Sequence, residues 1–295
     1  AGQGRRQLAS EALPALVDGA LSLLSGAAKV YGVLLVAVFL LQRKLIFIPP
    51  GEAADPRLQG GKPQIVQLNA ADGVGRLAAV LFEPLSPEDP VLVFFHGNAD
   101  QLGWGAAFLG NYFRMRYGLG LYGVEYPGYG LARPGSPSEG SIYEAAEALL
   151  LHLDKDLGVP RARVVLLGQS VGCAVAVEMA RRGLGARLVL LSPFTSMPQV
   201  ARAIYPFLSP ALRLAPWLVR DRFDNLEKAG RVDVPTLIVH GTEDEIVPFT
   251  MGKELAKAVP GAQFLPVQGM GHNDVFDREE VLSEIARFAR PRAGA

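Results

Sequence analysis

Four short runs in this chain are almost wholly apolar, and each is followed by a stretch long enough to hold a helix. They are residues 91–95 (VLVFF), 164–167 (VVLL), 188–191 (LVLL) and 236–239 (TLIV). A strand sends alternate side chains to opposite faces of its sheet, so a run without polar alternation must be covered on both faces. Helices crossing from one parallel strand to the next provide that cover, and the pattern predicts an α/β fold with a mostly parallel, twisted sheet between two helical layers. Residues 120–125 and 263–267 read as two further strands, and 64–69 and 77–82 as a half-exposed, antiparallel lead-in. Helices are predicted over 103–117, 139–156, 171–182, 250–258 and 275–290. Residues 193–233 are too long for a plain crossover and are broken by Pro193, Pro198, Pro206, Pro210 and Pro216, with Phe207, Leu208, Leu212, Leu214, Trp217 and Leu218 between them. A small lid is expected there.

The chain has 295 residues, 29 of them basic and 29 acidic, and no basic run, so nothing in it marks a nucleic-acid partner. Its single cysteine, Cys173, excludes an intrachain disulfide framework and a cysteine-rich zinc site. Hydrophobic residues make up 49% and the mean hydropathy is +0.21, an excess that the N-terminal part explains. Residues 19–41 carry one charge, Lys29, and as a helix would reach roughly 35 Å, enough for a hydrocarbon core of about 30 Å. Gln42, Arg43 and Lys44 close the segment, and Lys29 favours a shorter or tilted insertion beginning after it. Residues 1–44 are therefore expected to form a segment with a single membrane-anchoring helix, and 45–295 a catalytic domain. A packed helix of the domain, an interfacial amphipathic helix and a cleaved secretory signal are the competing readings. Basic residues flank both ends, so the sequence does not fix an orientation.

Gly168-Gln169-Ser170-Val171-Gly172 fits G-x-S-x-G and lies between the strand 164–167 and a helix rich in small residues. A serine on such a turn takes a strained backbone conformation, which flanking Gly168 and Gly172 permit by removing Cβ clashes. Its hydroxyl then stands above the sheet, at a helix N-terminus that favours a developing oxyanion. Four histidines compete for the role of base. His152 sits in an apolar helical run, and His96 and His240 each end a strand before glycine. His272 lies in the loop after the last predicted strand, and the order Ser…Asp…His selects it. Glu243, Asp244 and Glu245 follow the strand 236–239, and Asp244 is preferred as the group that orients the base; Asp274, beside His272, is the rival. The oxyanion hole is assigned to the backbone N–H groups of Val171 and Asn98, with Gly97 allowing close approach and His96 structural. Cys173, Arg161–Arg163 and Arg181–Arg182 read as packing or solvated residues.

Together with FFHGNA at 94–99, EYPGYG at 125–130, SPFTSM at 192–197, HGTEDEIVP at 240–248, GHND at 271–274 and QRKLIFIP at 42–49, these motifs resemble the α/β-hydrolase superfamily. The likeness covers about residues 40–290 and is closer to its membrane-anchored, single-domain branch related to the protein depalmitoylases. It implies an acyl-enzyme mechanism without metal or cofactor, acting on acyl ester or thioester substrates, with membrane lipid as a partner. Glu125 stands where that branch often has aspartate or asparagine, and the apolar segment replaces a cysteine-rich N-terminus. A peptidase or amidase with the same triad and a non-catalytic membrane-tethered module are the alternatives. Dehalogenase and epoxide-hydrolase chemistry are disfavoured by serine at the elbow. Acyl length, leaving group, membrane side and oligomeric state are not readable.

Overall fold

The computed structural model describes residues 2–60, 62–68 and 77–290, with side chains from residue 20 onward, Gln59 apart. The chain divides into two compact units, Ala1–Leu45 and Ile46–Ala295. Helix α1 (Gly2–Ile46) is longer than the predicted segment, and its last turn carries Arg43 and Lys44, which suit the negative end of the helix dipole. Its stretch Ala20–Ile46 is long and apolar enough to cross a membrane. Leu23, Leu24, Val30, Val33 and Leu40 are 67–78% exposed.

In the second unit the described strands form one eight-stranded sheet in the order β1-β2-β4-β3-β5-β6-β7-β8. The strands are β1 (Gln64–Leu68), β2 (Leu77–Phe82), β3 (Val91–Phe95), β4 (Gly120–Val124), β5 (Val164–Gln169), β6 (Arg187–Leu191), β7 (Thr236–Gly241) and β8 (Gln263–Val267). Only β2 runs against its neighbours; β4, β3, β5, β6, β7 and β8 are parallel. The lead-in predicted over 64–69 is thus a strand to Leu68, and Asn69 lies outside the described residues. Unlike the expectation, β2 is buried along its whole length.

The apolar runs do what their pattern requires. Val91, Val93 and Phe95 of β3 enter one core, and Leu92 and Phe94 the other. Val164 and Leu166 of β5 and Leu188 and Leu190 of β6 join the first; Val165, Leu167, Val189 and Leu191 join the second. Helices α2 (Ala107–Tyr117) and α9 (Glu279–Ala289) cover the second core. Helices α3 (Glu139–Lys155), α4 (Val171–Arg181), α7 (Asn225–Ala229) and α8 (Phe249–Ala258) cover the first. Two predicted helices begin later than their pattern suggested. A π-helical turn, Leu102–Ala106, precedes α2, and a 3-10 turn, Asp274–Asp277, precedes α9.

Because α2 leaves β3 towards one face and α4 leaves β5 towards the other, the carboxyl ends of these adjacent strands form a topological switch point, the place where open α/β sheets bind ligands. The excursion after β6 is a string of short turns: α5 (Met197–Ile204), Pro206–Leu208, α6 (Ser209–Leu214) and Pro216–Leu218. Each has proline in its first two positions, where the missing N–H costs nothing and the fixed φ ends whatever came before. Its ends are tied together by Met197 N–H to Arg222 O at 2.8 Å and by Asn225 Nδ2 to Phe194 O at 2.8 Å. These turns occupy the stretch where a lid is expected.

Candidate active site

Ser170 stands between the last residue of β5 and the first of α4 with φ 51° and ψ −116°, a conformation costly for any residue with a Cβ. The turn is held by Ser170 N–H donating to Leu191 O at 2.9 Å and by Cys173 N–H donating to Ser170 O at 3.0 Å. The glycines on either side are steric necessities. A Cβ on Gly172 would lie 1.9 Å from Phe95 O, and one on Gly168 2.3 Å from Gly172 O. Only bare backbone lets α4 begin so close to β3. Cys173 is fully buried, its Sγ facing Gly168 O at 3.2 Å and Leu191 O at 3.1 Å; burial pushes its thiol far up, away from reactivity.

His272 and Asp244, the expected base and its orienting carboxylate, are brought together by the loops after β8 and β7. Glu243 N–H donates to Met270 O at 3.2 Å, folding the later loop back over the earlier one. His272 Nδ1 then meets Asp244 Oδ2 at 2.8 Å, with both side chains nearly or fully buried. The other carboxylate oxygen of Asp244 accepts from Val247 N–H at 2.7 Å and Ile246 N–H at 3.0 Å. Burial alone would raise the Asp244 carboxyl, but hydrogen bonds from His240 and His272, the His272 charge and the Val247 N–H outweigh it. The group is held well below the usual carboxylate range. Glu243 and Glu245 are exposed. The rival, Asp274, accepts from Gly271 N–H at 2.8 Å and so shapes the loop that carries His272. Among the described residues no hydrogen bond links Ser170 to His272.

Sequence reasoning missed the role of His240. It is fully buried, with Nε2 3.0 Å from Val247 O and 3.3 Å from Asp244 Oδ2, and it sits against Gly252, where a Cβ would meet its ring at 2.2 Å. Its place at the end of β7, four residues before Asp244, was the available signal.

Beyond β3, no hydrogen bond among the described residues uses the Asn98 backbone N–H, and Gly97 passes Gln169 closely enough that a Cβ would lie 3.3 Å from its Oε1. Val171 is the first residue of α4, where N–H groups have no helical partner. The Asn98 side chain is occupied elsewhere. Nδ2 donates to Ile46 O at 2.6 Å, while Oδ1 accepts from Ile48 N–H and Tyr129 OH, each at 2.9 Å. Residues 46–54 are stitched down further by Ala54 N–H to Gln101 Oε1 at 2.8 Å, Gln101 Nε2 to Glu52 O at 2.9 Å and Arg133 to Gly51 O at 2.6 Å. Beneath the loop, His96 is wholly buried, stacks on Tyr126 with ring centroids 3.9 Å apart and faces Glu125 Oε1 at 3.2 Å. Burial would depress the His96 imidazole, yet Glu125 and Asp100 together lift it above its ordinary value. Glu125 also receives Leu131 N–H at 3.2 Å, so the residue that departs from the branch pattern has a structural post. Among the described residues, no group of three or more His, Cys, Asp or Glu side chains is placed to hold a metal ion.

A family profile described as "Alpha/beta hydrolase family" matches residues 92–233, and one described as "TAP-like protein" matches 214–288. Alpha/beta hydrolase domain-containing protein 17B of Homo sapiens is 34% identical over 223 residues, spanning 72% of this chain and 71% of that protein. The chain belongs to the α/β-hydrolase family. A Caenorhabditis elegans α/β-hydrolase domain-containing protein is 35% identical over 227 residues, 75% of this chain, and the chain spans only 63% of that relative's length. Among solved structures, an esterase of Pyrococcus furiosus superposes with a TM-score of 0.64 at 15% identity, covering 82% of this chain and 98% of that one, a likeness of α/β-hydrolase fold alone.

Proposed function

We propose that this hydrolase cleaves carboxylic ester or thioester bonds of acyl chains through a Ser170–His272–Asp244 triad and an acyl-enzyme intermediate. The observation that carries the reading is the Asp244–His272 contact of 2.8 Å at the same sheet edge as a serine held at φ 51°. Asp244, ionised and fixed by two backbone N–H groups, accepts the Nδ1 proton of His272 and so leaves Nε2 as the basic nitrogen. The reaction requires His272 Nε2 to reach the Ser170 hydroxyl; such contacts are often long before substrate binds.

His272 takes the hydroxyl proton as Ser170 Oγ adds to the acyl carbonyl. The resulting oxyanion is received by the Asn98 and Val171 N–H groups. Collapse breaks the bond to the alcohol or thiol, which leaves with the proton from His272. Water, deprotonated by the same imidazole, then releases the acid and restores Ser170. The apolar helix α1 and the apolar lid favour a lipid-like acyl group presented at a membrane, in line with the likeness to the depalmitoylase branch, and a single-pass anchor for the chain. Rates on p-nitrophenyl esters and matched thioesters of graded chain length test this. Medium or long chains should be preferred and Ser170→Ala should abolish turnover; preference for acetyl over longer groups would overturn the lipid reading.

A further inference from the structure

The lid segment carries a cluster of exposed apolar side chains that the proposed chemistry leaves unexplained. Ile204, Tyr205, Phe207, Leu214 and Trp217 are exposed by 44%, 43%, 44%, 80% and 67%. They fall within fourteen residues, on turns that pack on one another: α5 against α6, and α6 against the turn Pro216–Leu218. The opposite side of the same turns is conventional core, with Met197, Val200, Leu208 and Leu212 buried. Amphipathicity of this kind, on a surface segment, marks contact with something apolar.

The charges say what that contact is. From residue 197 to 220 the chain carries Arg202, Arg213 and Arg220 and not one Asp or Glu, although the protein as a whole is electrically balanced. Arg213 and Arg220 are exposed, and neither Arg202 nor Arg213 has a carboxylate within ion-pair distance among the described residues. Exposed Trp and Tyr, a projecting leucine and arginines on a segment that itself contains no Asp or Glu match the depth profile of a phospholipid surface. Indole and phenol rings settle at headgroup level, aliphatic tips just below it, and guanidinium groups on phosphate. A folded protein partner would call for directional hydrogen bonds, and the prolines of these turns remove backbone donors that could make them.

We propose that the lid, through Leu214 and Trp217 flanked by Arg202, Arg213 and Arg220, docks into the headgroup layer of an anionic bilayer, as a membrane contact separate from helix α1. The inference rests on the reading of α1 as an anchor only in that tethering keeps the domain near the surface, where a weak contact becomes populated.

The chain has two tryptophans, Trp104 and Trp217, so Trp104→Phe leaves Trp217 as the sole indole. The full chain carrying Trp104→Phe is reconstituted in phosphatidylcholine vesicles with and without phosphatidylserine, using lipids brominated near the headgroup end of the acyl chain as quenchers. The expected result is a blue-shifted Trp217 emission with roughly twofold quenching in the anionic vesicles. Quenching should weaken with salt and in Arg202→Gln/Arg213→Gln/Arg220→Gln, and Trp104 in Trp217→Phe should stay unquenched. Protein that floats with the vesicles while Trp217 remains unquenched keeps the anchor and overturns the lid contact. Quenching indifferent to phosphatidylserine overturns the anionic recognition. A blue shift that grows with protein concentration in detergent, without quenching by lipid, overturns the proposal in favour of a second copy of the chain. None of these readouts depends on hydrolysis, so failure of the enzymatic reading would register separately.

Discussion

The side-chain amide of Asn98 donates to the carbonyl of Ile46 at 2.6 Å, tying the residue assigned to the oxyanion hole to the start of the hydrolase domain. Two consequences follow from one side chain. The backbone N–H of Asn98 has no hydrogen-bond partner among the described residues, while its carboxamide fixes the loop that carries it.

Asn98→Ala retains the backbone donor and removes the clamp. Its kcat on a short ester should fall about 10- to 100-fold with little change in KM, because a donor that moves by a fraction of an ångström loses transition-state stabilisation first. Gln101→Ala, which frees Glu52 and Ala54 without touching Asn98, should shift kcat the same way by less. Steady-state kinetics on both variants decide it; an unchanged kcat in Asn98→Ala would separate the clamp from catalysis.

Asp244→Asn should lower kcat by roughly 10³- to 10⁴-fold, because an amide does not select the tautomer that leaves Nε2 basic. His240→Asn is expected to cost about 10-fold, since it takes away a partner of Asp244 Oδ2 but leaves both backbone donors to the other oxygen. Equal losses in the two variants would contradict this division of roles.

Glu178 offers a stability test with a defined sign. It is buried and meets Arg181 at 2.6 Å, Arg182 at 2.8 Å and Lys228 at 3.2 Å. Burial would raise its carboxyl, but the cations prevail and bring it down to about 2. A carboxyl depressed on folding stabilises the protein above its unfolded value and loses that contribution as pH falls towards the folded one. Glu178→Gln should therefore destabilise by about 3 kcal/mol at neutral pH. The gap between variant and wild type, measured by urea unfolding, should narrow between pH 4.5 and about 2. A gap independent of pH would show that packing, not charge, is what the residue contributes.

Gly172→Ala should destabilise by about 3 kcal/mol or prevent folding, because the new methyl meets the carbonyls of Phe95 and His96, which are backbone atoms with no room to move. Denaturant midpoints measure it; a loss below about 0.5 kcal/mol would mean the elbow can relax.

The runs at 91–95 and 188–191 disclosed their strands because burial on two faces suppresses polar alternation, a signal contained in four or five consecutive letters. The elbow was equally legible, since a strained serine demands its glycines close by. The clamp at Asn98 was not: it joins side-chain atoms to backbone some fifty residues away, and a carbonyl at residue 46 looks like any other in the sequence. Arg181 and Arg182 read as a solvated helix end for the same reason. Their partner Glu178 lies on the same helix, but its burial is created by α3 and α7, which no local pattern reveals. His240 was set aside on chain order, which identifies the base but says nothing of a second imidazole sharing the acid.

The nucleophile itself can be caught directly. The full chain is treated with a fluorophosphonate, digested and mapped by mass spectrometry, beside Ser170→Ala and His272→Ala. A single phosphonyl adduct on Ser170 in the wild type, absent from the first variant and formed much more slowly in the second, is the expected result. A folded wild type that stays unlabelled, or an adduct on any other residue, would contradict the triad.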